Sequence, residues 1–325
     1  MLFSLRPKES LKELYNRSEE YHELSRLTSS GLWVAVLGKR MTGKTSLIKT
    51  FANENKGIYI NLLGAKGVED LAKSLLAEAG LKLDELTLNL KFMQIKWSKV
   101  LDEAFQHVKD KIIVLDEVQE ISSPQFLKTL KSILDKYSKI RIVFSGSYIG
   151  VLRRLLEPSP TSPLYGRKPV IITLKSFSNE MSKNFLISGF QEYSQISYKE
   201  EEIVEAVERL DGYVGWLTYY GNFRCERRLS HKEALEETMK ECSKIIQSEL
   251  NHFLKNRRRE LYIKTLRTVR NGARWSEIKR ELNVNSKVLN DILKNLTSAM
   301  IVDENKGYYW IEDPITREAI KKLRP

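Results

Sequence analysis

Cysteine and histidine are scarce in this sequence, and their scarcity excludes several classes of protein. The 325 residues include two cysteines, Cys225 and Cys242, and four scattered histidines. Because a small disulfide scaffold needs several paired cysteines, we expect both thiols to be free. The histidines show no metal-ligand spacing, so no metal centre built on histidine is predicted.

Long apolar runs are also missing. No run approaches the length of a membrane span, and residues 1–7 contain no apolar segment of the kind found in secretion signals. We therefore expect a cytoplasmic protein without a membrane partner. The composition, 42% hydrophobic and 30% charged, is typical of a globular protein, and the length predicts two or three domains.

The net charge of +12 is concentrated near the C-terminus. Residues 251–325 contain 17 Lys and Arg but 9 Asp and Glu, so eight of the twelve net charges lie in this last quarter. A basic segment indicates nucleic acid or an acidic surface as a partner. A lysine-rich surface that only maintains solubility is the alternative, and charge alone does not exclude it.

The most informative motif is Gly-Lys-Arg-Met-Thr-Gly-Lys-Thr at residues 38–45, a complete match to G-x-x-x-x-G-K-[ST]. Gly38 and Gly43 permit a tight turn that brings backbone N–H groups close to phosphate oxygens. Lys44 is placed to reach the β- and γ-phosphates, and the Thr45 hydroxyl to ligate Mg²⁺. An ordinary glycine turn is the alternative, but the flanking strand and helix favour nucleotide binding.

An acidic pair follows a second apolar strand. Residues 112–115 read Ile-Ile-Val-Leu and are followed by Asp116 and Glu117. A carboxylate at the C-terminal end of a parallel strand lies where open α/β sheets bind ligands. We expect Asp116 to hold Mg²⁺, directly or through water, and Glu117 to act as a general base on the attacking water. Alone, such a pair would more simply cap a strand, but the preceding phosphate loop favours the functional role.

Between residues 32 and 174, apolar strands alternate with helical patterns. This alternation predicts an α/β fold with the parallel sheet of a P-loop NTPase and helices on both faces. The predicted strands are Leu32–Leu37, Ile58–Leu62, Ile112–Asp116, Ile140–Ser145 and Val170–Leu174. The predicted helices are Thr45–Asn53, Val68–Ala79, Phe92–Val108 and Pro124–Tyr137.

After residue 176 the alternation stops. Four helical patterns follow and predict an all-α lid: Asn179–Phe190, Lys199–Leu210, Val214–Phe223 and His231–Leu254. The last segment predicts three helices and a β-hairpin, the layout of a winged helix-turn-helix domain: Glu260–Val269, Trp275–Leu282, Ser286–Ser298, Ile301–Asp303 and Tyr308–Ile311. We therefore divide the chain into a P-loop core at 1–176, a helical lid at 177–256 and a winged helix at 257–325.

The third helix of the winged helix is the predicted recognition helix. Its outward residues are expected to be Ser286, Lys287, Asn290 and Lys294, and Lys306 and Gly307 form the wing tip. One interpretation is that residues 257–325 contact duplex DNA. The other is that this domain packs against a protein, because two lysines offer few phosphate contacts.

With these parts in order, the chain resembles the archaeal-type P-loop ATPases at the border of the AAA+ and STAND groups over nearly its whole length. Residues 14–17, Leu-Tyr-Asn-Arg, look like the family's N-terminal box, which packs beside the nucleotide base. Residues 38–47 are similar to its Walker A motif, and residues 115–119 to its Walker B motif. The resemblance implies Mg-dependent ATP binding and hydrolysis, with ATP or ADP and Mg²⁺ as ligands.

The resemblance also implies a set of nucleotide-binding residues. They are Arg17 in the box, Gly38, Lys39, Arg40, Met41, Thr42, Gly43, Lys44, Thr45 and Ser46 in Walker A, and Val214 in the lid. Val214 stands where the family often has the proline of a Gly-x-Pro stretch. An apolar contact with the nucleotide is kept there, but the rigid kink of proline is not.

Two further catalytic residues follow from the resemblance, beside Lys44 and Glu117. Residues 144–147, Phe-Ser-Gly-Ser, look like the sensor-1 segment, in which we expect Ser147, with Ser145 as the alternative, to contact the γ-phosphate or the attacking water. Arg167 occupies the place of the AAA+ arginine finger, which normally acts across a subunit boundary, so a homo-oligomer is expected.

Two functions of different classes remain open. The first is an ATPase that uses its lid to move the winged helix. The second is a slow nucleotide-gated switch or scaffold whose winged helix binds protein rather than DNA. Glu117 favours the enzyme because a general base serves turnover.

Overall fold

The computed structural model describes residues 1–82, 96–121, 124–137, 139–146, 168–193, 196–255 and 257–324. The chain packs as two compact units. The first, which we call the P-loop unit, comprises Pro7–Gly38 and Gly43–Leu174. The second, the C-terminal unit, comprises Met1–Arg6, Lys39–Thr42 and Lys175–Pro325. The division into three domains remains a prediction.

A five-stranded parallel sheet forms the centre of the P-loop unit. Its strands are β1 (Val34–Gly38), β2 (Ile58–Asn61), β3 (Ile112–Asp116), β4 (Arg141–Gly146) and β5 (Val170–Leu174). They are arranged in the order β2-β3-β4-β1-β5, and every neighbouring pair is parallel. All five predicted strands are confirmed. Since β4 lies between β1 and β3, the ends of the two motif-bearing strands are separated by one strand.

Helices cover both faces of this sheet, as predicted. In the described residues they are α1 (Ser18–Ser29), α2 (Lys44–Glu54), α3 (Val68–Ala79), α4 (Trp97–His107) and α5 (Pro124–Lys136). One hydrophobic cluster joins α3, α4 and α5 to the sheet, and a second joins α1 and α2 to its other face. Strands β1 and β3 are buried on both faces, which explains their continuous apolar runs. Residues 92–95 of the predicted fourth helix lie outside the described residues.

The C-terminal unit begins with four helices that match the predicted lid. They are α6 (Asn179–Gln191), α7 (Glu200–Leu210), α8 (Val214–Cys225) and α9 (His231–Leu254). The buried Phe3 ring packs against α6 and α8 at two glycines, Gly189 and Gly221. A methyl group at position 221 would lie 2.4 Å from this ring, so α8 needs glycine there. The N-terminal residues therefore anchor to the lid.

The last part of the C-terminal unit is a winged helix. Its elements are α10 (Arg259–Val269), β6 (Ala273–Arg274), α11 (Trp275–Leu282), α12 (Ser286–Ser298), β7 (Asp303–Asn305), β8 (Tyr308–Trp310) and α13 (Pro314–Lys321). The three strands form an antiparallel sheet in the order β6-β8-β7. The predicted third helix, Ser286–Ser298, is confirmed as α12.

The predicted bounds of the first wing strand, Ile301–Asp303, were wrong by two residues. The observed strand β7 spans Asp303–Asn305. The N–H of Ile301 bonds to the carbonyl of Leu296 at 3.1 Å, so the chain is still closing the end of α12 at this point. The apolar side chain of Val302 is buried beside the helix rather than in the sheet. Lys306 and Gly307 both have positive φ, +49° and +77°, which gives the tight turn expected of a two-residue hairpin.

Two expectations about composition can also be compared with the structure. Cys225 and Cys242 are both free and buried, and burial raises the pKa of the Cys225 thiol to about 12. No helix in the described part of the chain combines the length and the apolar character that crossing a membrane requires.

Candidate nucleotide-binding site

The phosphate loop joins the end of β1 to the start of α2. Gly43, which precedes α2, has φ of +94°, a conformation that glycine adopts without strain. Lys44 begins the helix, and its Nζ donates a 2.8 Å hydrogen bond to the carbonyl of Gly38 at the other end of the loop. The first turn of α2 contains no acidic residue. The N–H groups of this turn and the helix dipole make this end suitable for an anion.

Asp116 is the centre of a hydrogen-bond network at the end of β3. Its buried carboxylate accepts from the Thr45 hydroxyl at 3.2 Å, from the Tyr59 hydroxyl at 2.8 Å and from the N–H of Glu117 at 3.0 Å. The two predicted Mg²⁺ ligands, Thr45 and Asp116, are thus within hydrogen-bond distance of each other. A hydroxyl and a carboxylate, completed by phosphate oxygens and water, are the ligands that Mg²⁺ commonly takes in nucleotide sites.

Tyr59 was not identified from the sequence. It lies on β2, directly beside β3, where the strand register places Asn61 next to Asp116. Burial, and after it the negative charge of Asp116, raises the pKa of the Tyr59 phenol. The phenol therefore stays protonated and acts as a hydrogen-bond donor to the carboxylate. No local sequence pattern indicates this role, because it depends on which strand pairs with β3.

Glu117 immediately follows β3 in a conformation that is uncommon for a non-glycine residue. Its φ is +54°, and a short 3₁₀ turn, Val118–Glu120, begins after it. The Gln119 side-chain amide donates a hydrogen bond to the Glu117 carboxylate. Left-handed backbone at a non-glycine residue costs energy and is concentrated at functional sites. The turn and Gln119 together hold this half-buried carboxylate beside Asp116.

A serine lies at the end of the strand between the two motif strands. Ser145 is near the C-terminal end of β4 and pairs in register with Val36 of β1. Its hydroxyl is buried, and no residue in the described ranges forms a hydrogen bond with it. Buried hydroxyls in proteins are usually hydrogen-bonded, so Ser145 stays the alternative candidate for the sensor-1 role. Ser147, the preferred sensor-1 residue, and Arg167, the predicted arginine finger, lie outside the described residues.

Arg17, the candidate in the N-terminal box, immediately precedes α1. Its guanidinium is buried and forms an ion pair with Glu20 at 2.7 Å. Burial lowers the pKa of Arg17, while the neighbouring Glu20 carboxylate opposes this shift. The pair fixes the start of α1 within the P-loop unit, and contact of Arg17 with a base remains a prediction.

The middle of the phosphate loop packs within the C-terminal unit. Lys39 Nζ forms an ion pair with Asp303 of β7 at 2.7 Å and another with Glu312, which follows β8. Arg40 forms an ion pair with Glu249 of α9. The side chains of Lys39 and Arg40 are paired with these carboxylates. Their predicted contact with phosphate would therefore be made by their backbone N–H groups.

The predicted lid residue Val214 begins α8. The N–H of the next residue, Gly215, donates to the carbonyl of Met41 at 2.9 Å. A methyl group at position 215 would lie 2.5 Å from the Met41 sulfur, so the close approach of α8 to the loop needs glycine. This contact holds the lid against the phosphate loop where the family often has proline.

The site combines a glycine-rich loop between a strand and a helix, a hydrogen-bonded Thr–Asp pair and a carboxylate next to the Asp. These features define a P-loop nucleoside triphosphatase of the Walker type. The sequence comparison identifies its family. The chain belongs to the family described as an ATPase domain predominantly from Archaea, whose model matches residues 14–220. No curated protein matches the chain.

Solved structures are similar over the whole length. The chain is 29% identical to a Walker-type ATPase of Pyrococcus abyssi, with a TM-score of 0.85, and the match covers 99% of this chain and 100% of the other. It also resembles Cdc6p from Pyrobaculum aerophilum at 16% identity, with a TM-score of 0.55 and coverage of 98% and 97%. A third match is the Aeropyrum pernix Orc1 protein in complex with DNA, at 14% identity, a TM-score of 0.51 and coverage of 95% and 93%. The last two matches show the fold alone.

Proposed function

We propose that this protein binds and hydrolyses ATP in a Mg²⁺-dependent reaction at the site formed by the phosphate loop, Asp116 and Glu117. The observation that carries the proposal is the hydrogen bond between Thr45 and Asp116 at the N-terminus of α2. It supports Thr45 and Asp116 as the metal ligands, because both lie beside a helix end that favours phosphate. Membership of an ATPase family supports ATP or ADP as the nucleotide.

Each residue then has a separate role. The N–H groups of residues 38–46 and the Lys44 ammonium bind the phosphates, which requires Lys44 to exchange its bond with Gly38 for a phosphate oxygen. Thr45 and Asp116 hold Mg²⁺, which neutralises charge that develops on the phosphate oxygens. Glu117 orients the attacking water and accepts its proton. Ser147, or Ser145 as the alternative, contacts the γ-phosphate.

Lys44→Ala tests nucleotide binding. The variant is expected to fold normally and to lose tight binding of ATP, because Lys44 provides charge rather than packing. Binding of a fluorescent ATP analogue and thermal unfolding, measured on the same sample, separate the two effects. Lys49→Ala, on the same helix but without a place in the phosphate loop, is the control. ATP binding by Lys44→Ala at the wild-type affinity would overturn the proposal.

We further infer that the state of the nucleotide is transmitted to the winged helix, which contacts duplex DNA through residues 257–325. The Lys39 ion pairs with Asp303 and Glu312 support the transmission, because they join the phosphate loop to the winged helix. The exposed Lys287 and Lys294 of α12, with Lys306 at the wing tip, support the DNA contact. The similar Aeropyrum pernix protein has been solved in complex with DNA.

Replacing Lys287, Lys294 and Lys306 together by Ala tests the DNA contact. Duplex affinity should fall, and the slope of log affinity against log salt should decrease by up to about 2.7, for three phosphate contacts. A winged helix that binds protein would show negligible duplex affinity at about 50 mM salt and no change in the variant. That result would favour the second function, a slow nucleotide-gated switch, and ATP turnover would then be slow with or without DNA.

A further inference from the structure

An open cleft of about 690 Å³ lies beside the wing, on the face of the small sheet. Its walls combine four cationic side chains with two aromatic rings: Arg270, Arg274, Lys306, Arg317, Tyr308 and Trp310. None of the described residues that line the cleft is acidic. We call it the basic-aromatic cleft.

The strand register explains why these residues meet. Tyr308 and Trp310 are two residues apart on β8, so their side chains lie on the same face of the sheet. Arg274 on β6 and Asn305 on β7 are both directly opposite Tyr308, one on each side. A cation and an amide therefore flank the ring on the same face.

The aromatic pair is held in place with one ring partly open to solvent. The Tyr308 and Trp310 rings are 6.0 Å apart and inclined by 29°, a stacked arrangement. Tyr308 is 42% exposed. Its hydroxyl lies over Gly272, where a methyl group would come within 1.9 Å, and Gly272 has φ of +99°. The position of the ring therefore depends on glycine at this turn.

Three of the four cations of the cleft form no ion pair in the described ranges, namely Arg270, Arg274 and Lys306. Two nearby carboxylates are engaged by backbone, because Glu277 accepts from the N–H of Arg274 and Glu304 from the N–H of Gly307. Asp303 is opposite Trp310 in the sheet, but its carboxylate is paired with Lys39. The cleft therefore combines three cations that have no salt-bridge partner with an exposed aromatic ring.

We propose that the basic-aromatic cleft binds unpaired nucleotides of DNA or RNA, with a base stacked on the aromatic pair and the adjoining phosphates on the arginines. A single strand presents both base faces and phosphates, and the cleft combines aromatic rings with cations. In a duplex the faces of the bases are covered by their neighbours, so a base is free to stack on protein only when it is unpaired. An acidic peptide would use the cations but not the ring face.

This site shares Lys306 with the proposed duplex contact but is distinct from the part of that contact on α12, and it does not depend on ATP hydrolysis. Asn290 of α12 already accepts a 2.8 Å hydrogen bond from the Trp275 indole, so one outward residue of the recognition helix is engaged within the domain. The two sites are separable by substitution, because Lys287 and Lys294 do not line the cleft.

The test measures binding of fluorescent oligonucleotides to the full-length protein by anisotropy. The probes are a 12-nucleotide oligo-dT, the matching oligo-U and a blunt 12-base-pair duplex, with poly-glutamate as competitor. Tyr308→Leu should weaken binding of the single strands by about 5- to 100-fold, while Tyr308→Phe, which keeps the ring, should bind like wild type. Lys287→Ala with Lys294→Ala should leave single-strand binding unchanged.

Arg274→Ala provides a second variant that does not alter the ring, and its exposed side chain can be removed without opening the core. It should lower the salt slope for oligo-dT by about 0.7, the value for one phosphate contact of a single strand. Tighter binding of oligo-dT would identify DNA as the ligand, and tighter binding of oligo-U would identify RNA. A loss of duplex binding in Tyr308→Leu equal to its loss of single-strand binding, displacement by poly-glutamate at equal charge, or wild-type affinity of both Tyr308→Leu and Arg274→Ala would overturn the proposal.

Discussion

At the scale of single residues, the candidate site is organised around one buried carboxylate. Asp116 accepts hydrogen bonds from Thr45, Tyr59 and the Glu117 backbone, so its position is fixed from three directions. The first of these bonds joins β3 to α2, and the second joins it to β2. A metal ligand that is already oriented loses little conformational freedom on binding, which favours a preorganised magnesium site.

Glu117→Gln is expected to retain Mg-ATP and to lower turnover by about two to four orders of magnitude, the range for removal of a general base. Glutamine keeps the size and the hydrogen-bonding capacity of the side chain beside Gln119 but cannot accept a proton. Steady-state phosphate release, measured together with nucleotide affinity, checks both parts. Glu120→Gln, three residues further on, is the control. Wild-type turnover in Glu117→Gln would place the base elsewhere.

Tyr59→Phe is expected to act through Asp116 rather than on ATP itself. It removes one hydroxyl donor from the carboxylate and keeps the ring, so the fold should be preserved. Loss of a partner of this kind typically weakens metal affinity or activity by about 10- to 100-fold. The Mg²⁺ concentration for half-maximal turnover should therefore rise, while binding of metal-free ATP stays the same.

Tyr137→Phe is the matched control, since the Tyr137 hydroxyl donates to a backbone carbonyl of Asp102 instead. An unchanged Mg²⁺ dependence in Tyr59→Phe would show that the hydrogen bond to Asp116 is only structural.

At the scale of elements, the local patterns were sufficient for the sheet and most helices. Buried strands such as β3 read as continuous apolar runs because both of their faces are covered. Local patterns failed where the end of one element overlaps the next, as at Ile301 and Val302, which complete the turn after α12. They also did not predict α13, although Asp313 and Pro314 form a helix start whose carboxylate accepts from the N–H of Ile315.

The candidate site shows the same limit of prediction from local sequence patterns. The positions of Asp116 and Glu117 were predictable from the end of one apolar strand, whereas the contact of Tyr59 with Asp116 depends on the pairing of β2 with β3. The engagement of Lys39 by Asp303 joins residues 264 positions apart, and no sequence spacing encodes it.

The contact between the phosphate loop and the winged helix gives a prediction at this scale. Lys39 pairs with Asp303 and Glu312, and Glu312 also accepts from the Tyr213 hydroxyl at 3.4 Å. The negative charge of bound phosphates competes for Lys39, so nucleotide binding should loosen these pairs. In the wild type, hydrogen exchange across residues 303–312 should increase when ATP binds.

Asp303→Asn combined with Glu312→Gln should abolish that increase and raise ATP affinity by about 2- to 10-fold, because partly exposed ion pairs are weak. Glu318→Gln, which removes the carboxylate paired with Lys321 on α13, is the control. An unchanged exchange response in the double variant would show that the loop and the winged helix are not coupled through Lys39.

At the scale of the whole molecule, the phosphate loop belongs to both compact units. Gly38 and Gly43 are part of the P-loop unit, whereas Lys39–Thr42 pack with the lid and the winged helix in the C-terminal unit. The N-terminal Phe3 belongs to the C-terminal unit as well, so that unit is formed by three separate segments of the chain. The phosphate loop is therefore covalently continuous with both units.

Arg167 gives a prediction about assembly, since an arginine finger normally completes the site of a neighbouring subunit. Arg167→Ala should bind ATP with wild-type affinity and hydrolyse it slowly, because the guanidinium stabilises charge only as the γ-phosphoryl group is transferred.

Mixing Arg167→Ala with Glu117→Gln should restore part of the turnover. In a mixed interface the Arg167→Ala subunit still has its Glu117, and the Glu117→Gln subunit supplies the arginine. Turnover is measured as the ratio of the two variants is varied, with light scattering on the same samples and Lys168→Ala as the control. Absence of rescue at every ratio, together with a monomeric mass, would mean that Arg167 does not act between subunits.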